Sequence, residues 1–339
     1  MNEQERLQLI RLGVDHVKRV PVTNFSGTTR NDALRDKFFE VMGTDKFDPM
    51  AYEAHKHEVF AIMREIISQT ISNGEGAMSA FYNQFVEESY IEWGDKKEFE
   101  IENDAYLTVG KISGNNWDLD RQRMDKGAVI SVVTDSYYIK IYEFFKRFMT
   151  GRMDFADLVS AVDKSVKKFK DDFVAKVFSD GVDGLPESWF YVGSYNESKI
   201  ETVISNVTAS NDGLGIVLTG TKSALNKLQG ITIPNLSDAQ KEEYSTVGYL
   251  RNWKGYTCAE LPTLFKANSI TDFVFDNSTV YALPVGVKPV KIVNEGTPLV
   301  KETNDIGDKK DMTKEIATIF NLGGYFLMAR LFGGFKITG

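Results

Sequence analysis

"GLGIVLTGTKSAL", residues Gly213–Leu225, is the stretch whose reading decides the fold. Gly215 and Gly220 stand at the separation found in a phosphate-binding loop, and a lysine–serine pair, Lys222-Ser223, follows them. In the pattern G-x-x-x-x-G-K-[ST], inward-turned backbone N–H groups cradle the phosphates and the lysine reaches the β/γ pair. Here Thr221 intervenes, so Lys222 stands one position out of place. Between the glycines lie Ile216, Val217 and Leu218, large apolar residues that favour a buried strand over an open cradle. The expectation is a strand ending at Gly220, a turn in which Thr221 caps, and a short helix. A P-loop nucleotide enzyme built on Lys222 remains as the weaker alternative.

Working outward, the chain of 339 residues exceeds the roughly 250–300 at which one hydrophobic core stops growing, so two domains or subdomains are expected. With 42% hydrophobic and 26% charged residues, a disordered or collagen-like chain is excluded. A net charge of -8 argues against a tight, sequence-independent grip on nucleic acid. Cys258 is the one cysteine, so neither an internal disulfide nor a cysteine-based zinc site can form. The charged N-terminus lacks the apolar core of a signal peptide, and no run approaches the ~18–20 apolar residues of a membrane span. These features lead to the expectation of a soluble protein made in the cytoplasm.

Apolar spacing predicts a helix over residues 1–19, with Leu7, Ile10, Val14 and Val17 on one face and Pro21 as its stop. Residues 21–50 read as an extended arm with a short helix near Ala33 to Met42, followed by a helix from Pro49 to Ser72 and a third over 77–88. The texture then changes. Residues 98–133 alternate between polar and apolar and are broken by glycine and asparagine, as a long hairpin would be. Glu98, Glu100 and Glu102 alternate with Phe99 and Ile101, leaving one polar face and little to bury, so the hairpin is expected to lie on another surface. Asp135 to Thr150 is read as helical. From Phe155, the residues Leu158, Val159, Val162, Val166, Phe169, Phe173 and Val177 give the strongest helical period, with Asp154 as N-cap and Gly181 as stop. Beyond Pro186 a helix ("KIETVISNVTA"), several strands ("GYTCAELP", "DFVFDNSTVYALP", "KPVKIVNEG") and apolar terminal strands are expected.

No catalytic constellation follows from the side chains. His55 and His57 in "HKHE" are two apart on a helix and diverge, and the second histidine of H-E-x-x-H would fall at Ala61. Cys258 has no histidine partner in the second half of the chain, and no G-x-S-x-G string is present. Asp118/Asp120, Asp171/Asp172 and the run Lys167 to Lys170 read as solvated surface. No cofactor or metal is implied. What is unusual is architectural: an arm, a projecting hairpin and a long amphipathic helix, all features that bury surface on neighbours.

Four stretches carry a resemblance. "VVTDSYYIKIYEFFKRFMTGRMDFADLVSAVDKSVKKFKDDFVAKVF", "GIVLTGTKSALNKLQGI", "VGYLRNWKGYTCAEL" with Gly248 and Gly255, and "YALPVGVKPVKIVNEG" resemble, in order and spacing, segments of tailed-bacteriophage major capsid proteins with the HK97-like fold. The resemblance implies an α+β fold with an N-terminal arm, an extended β-hairpin loop, a peripheral domain with a long spine helix, and an axial domain. It implies this division: 1–60 arm and helices, 61–88 a peripheral segment, 89–130 the hairpin loop on the adjacent subunit, 131–184 the spine region, 185–265 the axial domain, and 266–339 the return to the peripheral domain. It further implies a virion shell of hexamers and pentamers around double-stranded DNA, held by weak non-specific contact, with a portal protein and no membrane. Because no long charged coiled-coil segment precedes the arm, a separate scaffolding protein is expected. Asn115, Trp117, Arg121, Arg123 and Lys222 are the expected assembly contacts. The lysine–asparagine crosslink of certain members does not carry over to Asn115 or Asn116. An encapsulin-like nanocompartment shell of the same fold is the nearer alternative.

Overall fold

The computed structural model describes residues 3–18, 30–71, 78–100, 127–143, 154–183, 185–186, 188–229, 236–303, 314–327 and 332–338. Four helices come first: α1 (Glu3–Val17), α2 (Arg30–Met42), α3 (Pro49–Ile71) and α4 (Ser79–Phe85). Strands β1 (Val86–Ile91), β2 (Lys97–Glu100), β3 (Val129–Val132) and β4 (Asp135–Glu143) lead to the long helix α5 (Phe155–Asp183). Then come β5 (Phe190–Gly193), α6 (Glu197–Ser210), β6 (Ile216–Thr221), α7 (Lys222–Gln229) and α8 (Asp238–Val247). The chain ends with β7 (Asn252–Trp253), β8 (Tyr256–Leu261), β9 (Thr279–Pro284), β10 (Val290–Thr303), β11 (Lys314–Phe326) and β12 (Gly333–Ile337).

The strands form three sheets, ordered β1-β10-β11-β4, β5-β12-β9-β6-β8-β7 and β2-β3. All six residues of β6 are buried because its sheet is covered on both faces. Leu218 pairs with Ala282 on the face that packs against α6 and α7, and Val217 pairs with Leu283 on the face toward the main core. A strand buried on both sides must be apolar without alternation, hence the run "IVL". The strand–turn–helix expectation for 213–225 holds. The terminal strand β12 inserts between β5 and β9, so the chain re-enters the six-stranded sheet twice after residue 265.

The main core joins α1 to α5 and the helix-facing side of the four-stranded sheet. Helix α5 starts where expected, with the Asp154 carboxylate accepting from the Ala156 N–H at 2.8 Å. It does not stop at Gly181 but runs on to Asp183. Gly181 serves close approach instead: a Cβ there would sit 2.2 Å from Cγ of Phe326. The run Lys167 to Lys170, expected as a solvated face, is half-buried instead, and its lysines are paired. Lys167 pairs with Asp163 at 2.8 Å and Lys168 with Asp172 at 3.1 Å, pairs worth a few tenths of a kcal/mol each.

Four further local expectations fail. Residues 135–143 form a strand, not a helix: Tyr137 and Ile139 turn inward while Ser136, Tyr138 and Lys140 turn out, a period of two set by β-branched and aromatic residues. The predicted third helix over 77–88 gives way at Val86 to β1. On α1, Leu9, Ile10, Gly13 and Val17 are buried while Leu7 is 48% exposed, so the buried face is rotated from the predicted one. "DFVF" is no part of a strand beyond a single bridge between Phe265 and Phe273.

Phe178 of α5 packs edge-on to Phe81 at 5.5 Å and to Tyr281 at 4.8 Å, and it also meets Phe275, Phe326 and Phe332. Truncation Phe178→Ala is expected to cost about 3–5 kcal/mol, read as a fall in the denaturant midpoint of the unassembled chain.

Candidate assembly interface

The glycine-rich stretch offers no phosphate cradle. A Cβ at Gly220 would lie 3.2 Å from both the Thr279 carbonyl oxygen and the Val280 side chain, so the turn is filled from its own sheet. Thr221 is buried, and its hydroxyl accepts from the Ala224 N–H at 3.3 Å, capping α7. Lys222 is exposed and lies across Gly248, the left-handed residue (φ 87°) that ends α8; a Cβ on Gly248 would meet Lys222 Cε at 2.1 Å. Of the five expected contact residues, Lys222 is the one that the described structure contains. Asn115, Trp117, Arg121 and Arg123 lie outside the described residues.

The other candidates resolve as structure. Cys258 is buried in β8, where burial pushes its thiol up to about 11 against the lowering effect of the Gln229 amide, an inert environment for a nucleophile. Gln229 is also the link that holds the α7 end to Leu250, accepting its N–H at 2.9 Å and donating to its carbonyl at 2.6 Å. His55 and His57 are exposed on α3. His16, not singled out in the sequence, lies 2.8 Å from Asp154 and so ties α1 to the cap of α5. Asp171, expected on the surface, is buried, and Asp172 is half-buried. Among the described residues no group of three or more His, Cys, Asp or Glu could hold a metal ion.

The distinctive geometry is at the root of the hairpin. Strands β2 and β3 pair antiparallel from Lys97↔Val132 to Glu100↔Val129. Phe99 and Val132 turn onto the outward face of the four-stranded sheet, where they bury Val293 and Leu327, while Glu98 and Glu100 are exposed. Lys291, cross-strand from Glu87 and ion-paired with it, also sits 5.4 Å from the Phe99 ring centroid. Beside this lies Glu295, at the irregularity in β10. Its carboxylate accepts from the Gly94 N–H at 2.8 Å, from the Thr134 hydroxyl, and from the Asn321 amide at 3.4 Å. Gly94 precedes the first leg of the hairpin and Thr134 follows the second, so one carboxylate holds both legs to the sheet. The indole of Trp93 covers Gly296 so closely that a Cβ would lie 2.1 Å from its Nε1. Sequence reasoning found the hairpin through its alternating glutamates. It had no signal for Glu295, Trp93 or Thr134, because each acts through a partner remote in the chain.

Residues 10–319 match the family described as "SPbeta prophage-derived putative capsid protein YonB". The chain belongs to this phage capsid protein family. Its fold is similar to a subunit of the mature capsid of bacteriophage PhiM1, at 11% identity and a TM-score of 0.50, covering 74% of this chain and 86% of that one. A capsid subunit of the cyanophage P-SCSP1u matches at 10% identity and a TM-score of 0.48, covering 78% and 89%. A chain of Microbacterium phage Oxtober96 matches at 11% and 0.49, covering 78% and 92%. No curated protein matches the sequence. The fold is the α+β, HK97-like capsid fold. The capsid protein is therefore a structural shell component of the virion that self-assembles, and it is not an enzyme; neither a nucleotide enzyme nor a nanocompartment is favoured. Among the described residues no helix is long and apolar enough to cross a membrane.

In the capsid protein, the Thr134 hydroxyl first, then the Gly94 N–H, holds the Glu295 carboxyl below its ordinary value of 4.5. A lowered folded value means the clamp contributes fully above about pH 4.5 and is lost as pH falls through the folded-state value. Acid titration of tryptophan fluorescence is expected to show a transition below pH 4.5 that Glu295→Gln removes. Identical titrations of both proteins would contradict the assignment.

Proposed function

We propose that this chain is the major subunit of an icosahedral phage head, built as hexamers and pentamers that close around double-stranded DNA. The observation that carries this reading is the hairpin root. Four ladder pairs anchor it, its exposed side is acidic at Glu98 and Glu100, and a two-stranded ribbon is marginal by itself in water. A ribbon so rooted gains its stability by lying on a neighbouring subunit. Asn115, Trp117, Arg121 and Arg123, in the sequence between the two root strands, are the proposed contacts there, and Lys222, at the start of α7, is the proposed contact from the axial unit.

The division that goes with this reading has the arm and its helices in 1–60, a peripheral segment in 61–88, the hairpin loop in 89–130, the spine region in 131–184, the axial unit in 185–265 and the peripheral return in 266–339. Strands β9 and β12 complete the six-stranded sheet and go with the axial unit. A separate scaffolding protein, a portal protein and synthesis in the host bacterial cytoplasm belong to the same proposal. Contact with the packaged DNA is weak and non-specific, in keeping with a net charge of -8. A shell sums many modest contacts, so each interface can be small.

Electron microscopy and sedimentation of the purified protein, with and without its scaffolding partner, are expected to show capsomers, tubes or closed shells. A strict monomer at high concentration under both conditions would contradict the proposal.

A further inference from the structure

The outward face of the four-stranded sheet, on which the hairpin root sits, changes character along its length. Near the root it is polar: Ser136 Oγ donates to Asn321 at 2.8 Å, and the Asn321 amide donates to Glu295. Past the irregularity in β10, Leu299, Ile319 and Tyr138 stand directly cross-strand on β10, β11 and β4 and form one apolar row. The next outward row is Lys301, Ala317 and Lys140. A sheet face turned to water ordinarily carries polar side chains. Here Tyr138 is 75% exposed, Leu299 37%, and Ile319 is half-buried, with exposed Lys301 and Lys140 beside them. Contiguous apolar surface of this kind marks an interaction site.

The hairpin root carries the complementary face. Phe99 and Val132 turn onto its own sheet, so the residues between them turn the other way. That face has Glu98 and Glu100 on one limb and Val129, 55% exposed, on the other, with Glu100 directly cross-strand from Val129. Among the described residues neither glutamate makes an ion pair, and neither does Lys301. The acidic face points away from the sheet on which the root sits. A chain therefore does not turn it onto its own two rows, and only another copy can bring it there.

We infer that the two rows receive the hairpin root of a second copy, its glutamate limb along the lysine row and its Val129 limb along the row of Leu299, Ile319 and Tyr138. The rows run across the strands, so the ribbon crosses the sheet near a right angle, one of the two common ways in which sheets pack. The spacings agree. Glu98 and Glu100 are about 7 Å apart along a strand, and Lys301 and Lys140 about 10 Å apart across β11, a difference within the reach of a flexible lysine stem. The giving and receiving patches differ, so each copy gives one hairpin and receives one, as a closed ring of subunits requires. The inference rests on the shell reading above and deepens it by naming the surface that the hairpin covers.

Charge exchange tests it. Lys301→Glu should reduce the yield of closed shells about tenfold, with thermal unfolding of the unassembled chain unchanged, and so should Glu98→Lys combined with Glu100→Lys. The triple variant restores opposite charges with their signs exchanged and should recover most of the yield. Variants that assemble like the parent, or a triple variant no better than the others, would overturn the inference. A crosslink then separates a second copy from the same chain. Val129→Cys with Tyr138→Cys, treated in particles with a short bismaleimide, should give covalent dimers and larger oligomers, while each single-cysteine variant stays monomeric; Cys258 is buried. Monomer alone from the two-cysteine variant, whether unreacted or joined within one chain, would also overturn it. A parent protein that forms no shells at all would instead remove the shell reading itself.

Discussion

The structure depends on the contact of Phe178 with its ring of aromatic neighbours. Helix α5 lies across the seam between the two large sheets, and Phe178 touches both. Tyr281 belongs to β9 of the six-stranded sheet and Phe326 to β11 of the four-stranded one, while Phe81 brings in α4. Offset and edge-on aromatic contacts add to area burial without demanding a polar partner. Gly181, one turn further on, lets Phe326 approach the helix backbone. With the two sheets fixed to one helix, β10 can serve two surfaces: Val290 and Ile292 face the helices, and Val293 faces the hairpin root.

The hairpin is thus rooted on the sheet that this helix holds in place. Its root holds a small apolar cluster, one cation between a carboxylate and a ring, and one carboxylate with three donors. The internal contacts are concentrated where the ribbon leaves the sheet, and the exposed glutamates face away. This distribution suits a part whose remaining stabilisation comes from another copy.

Much of this was legible in the sequence wherever one periodicity dominated. The α5 pattern is long enough that single exceptions do not blur it, and "GIVLTGTKS" declares itself by three large apolar residues where a cradle would need an open loop. Over residues 135–143, Tyr and Ile at close spacing satisfy a helical face nearly as well as a strand, and only pairing with β11 decides between them. Gly181 reads locally as a stop because close approach to a residue 145 positions later leaves no local trace. The Glu295 clamp was invisible for the same reason: its donors come from positions 94, 134 and 321.

The central claim is that the hairpin finds in assembly the support that its own chain does not provide. Amide hydrogen exchange across residues 101–126, between the two root strands, compared between unassembled chains and assembled particles, tests it most directly. The account predicts slow exchange in particles and clearly faster exchange in free chains, while β10 and β11 exchange slowly in both. Equal protection of residues 101–126 in the two states would contradict it.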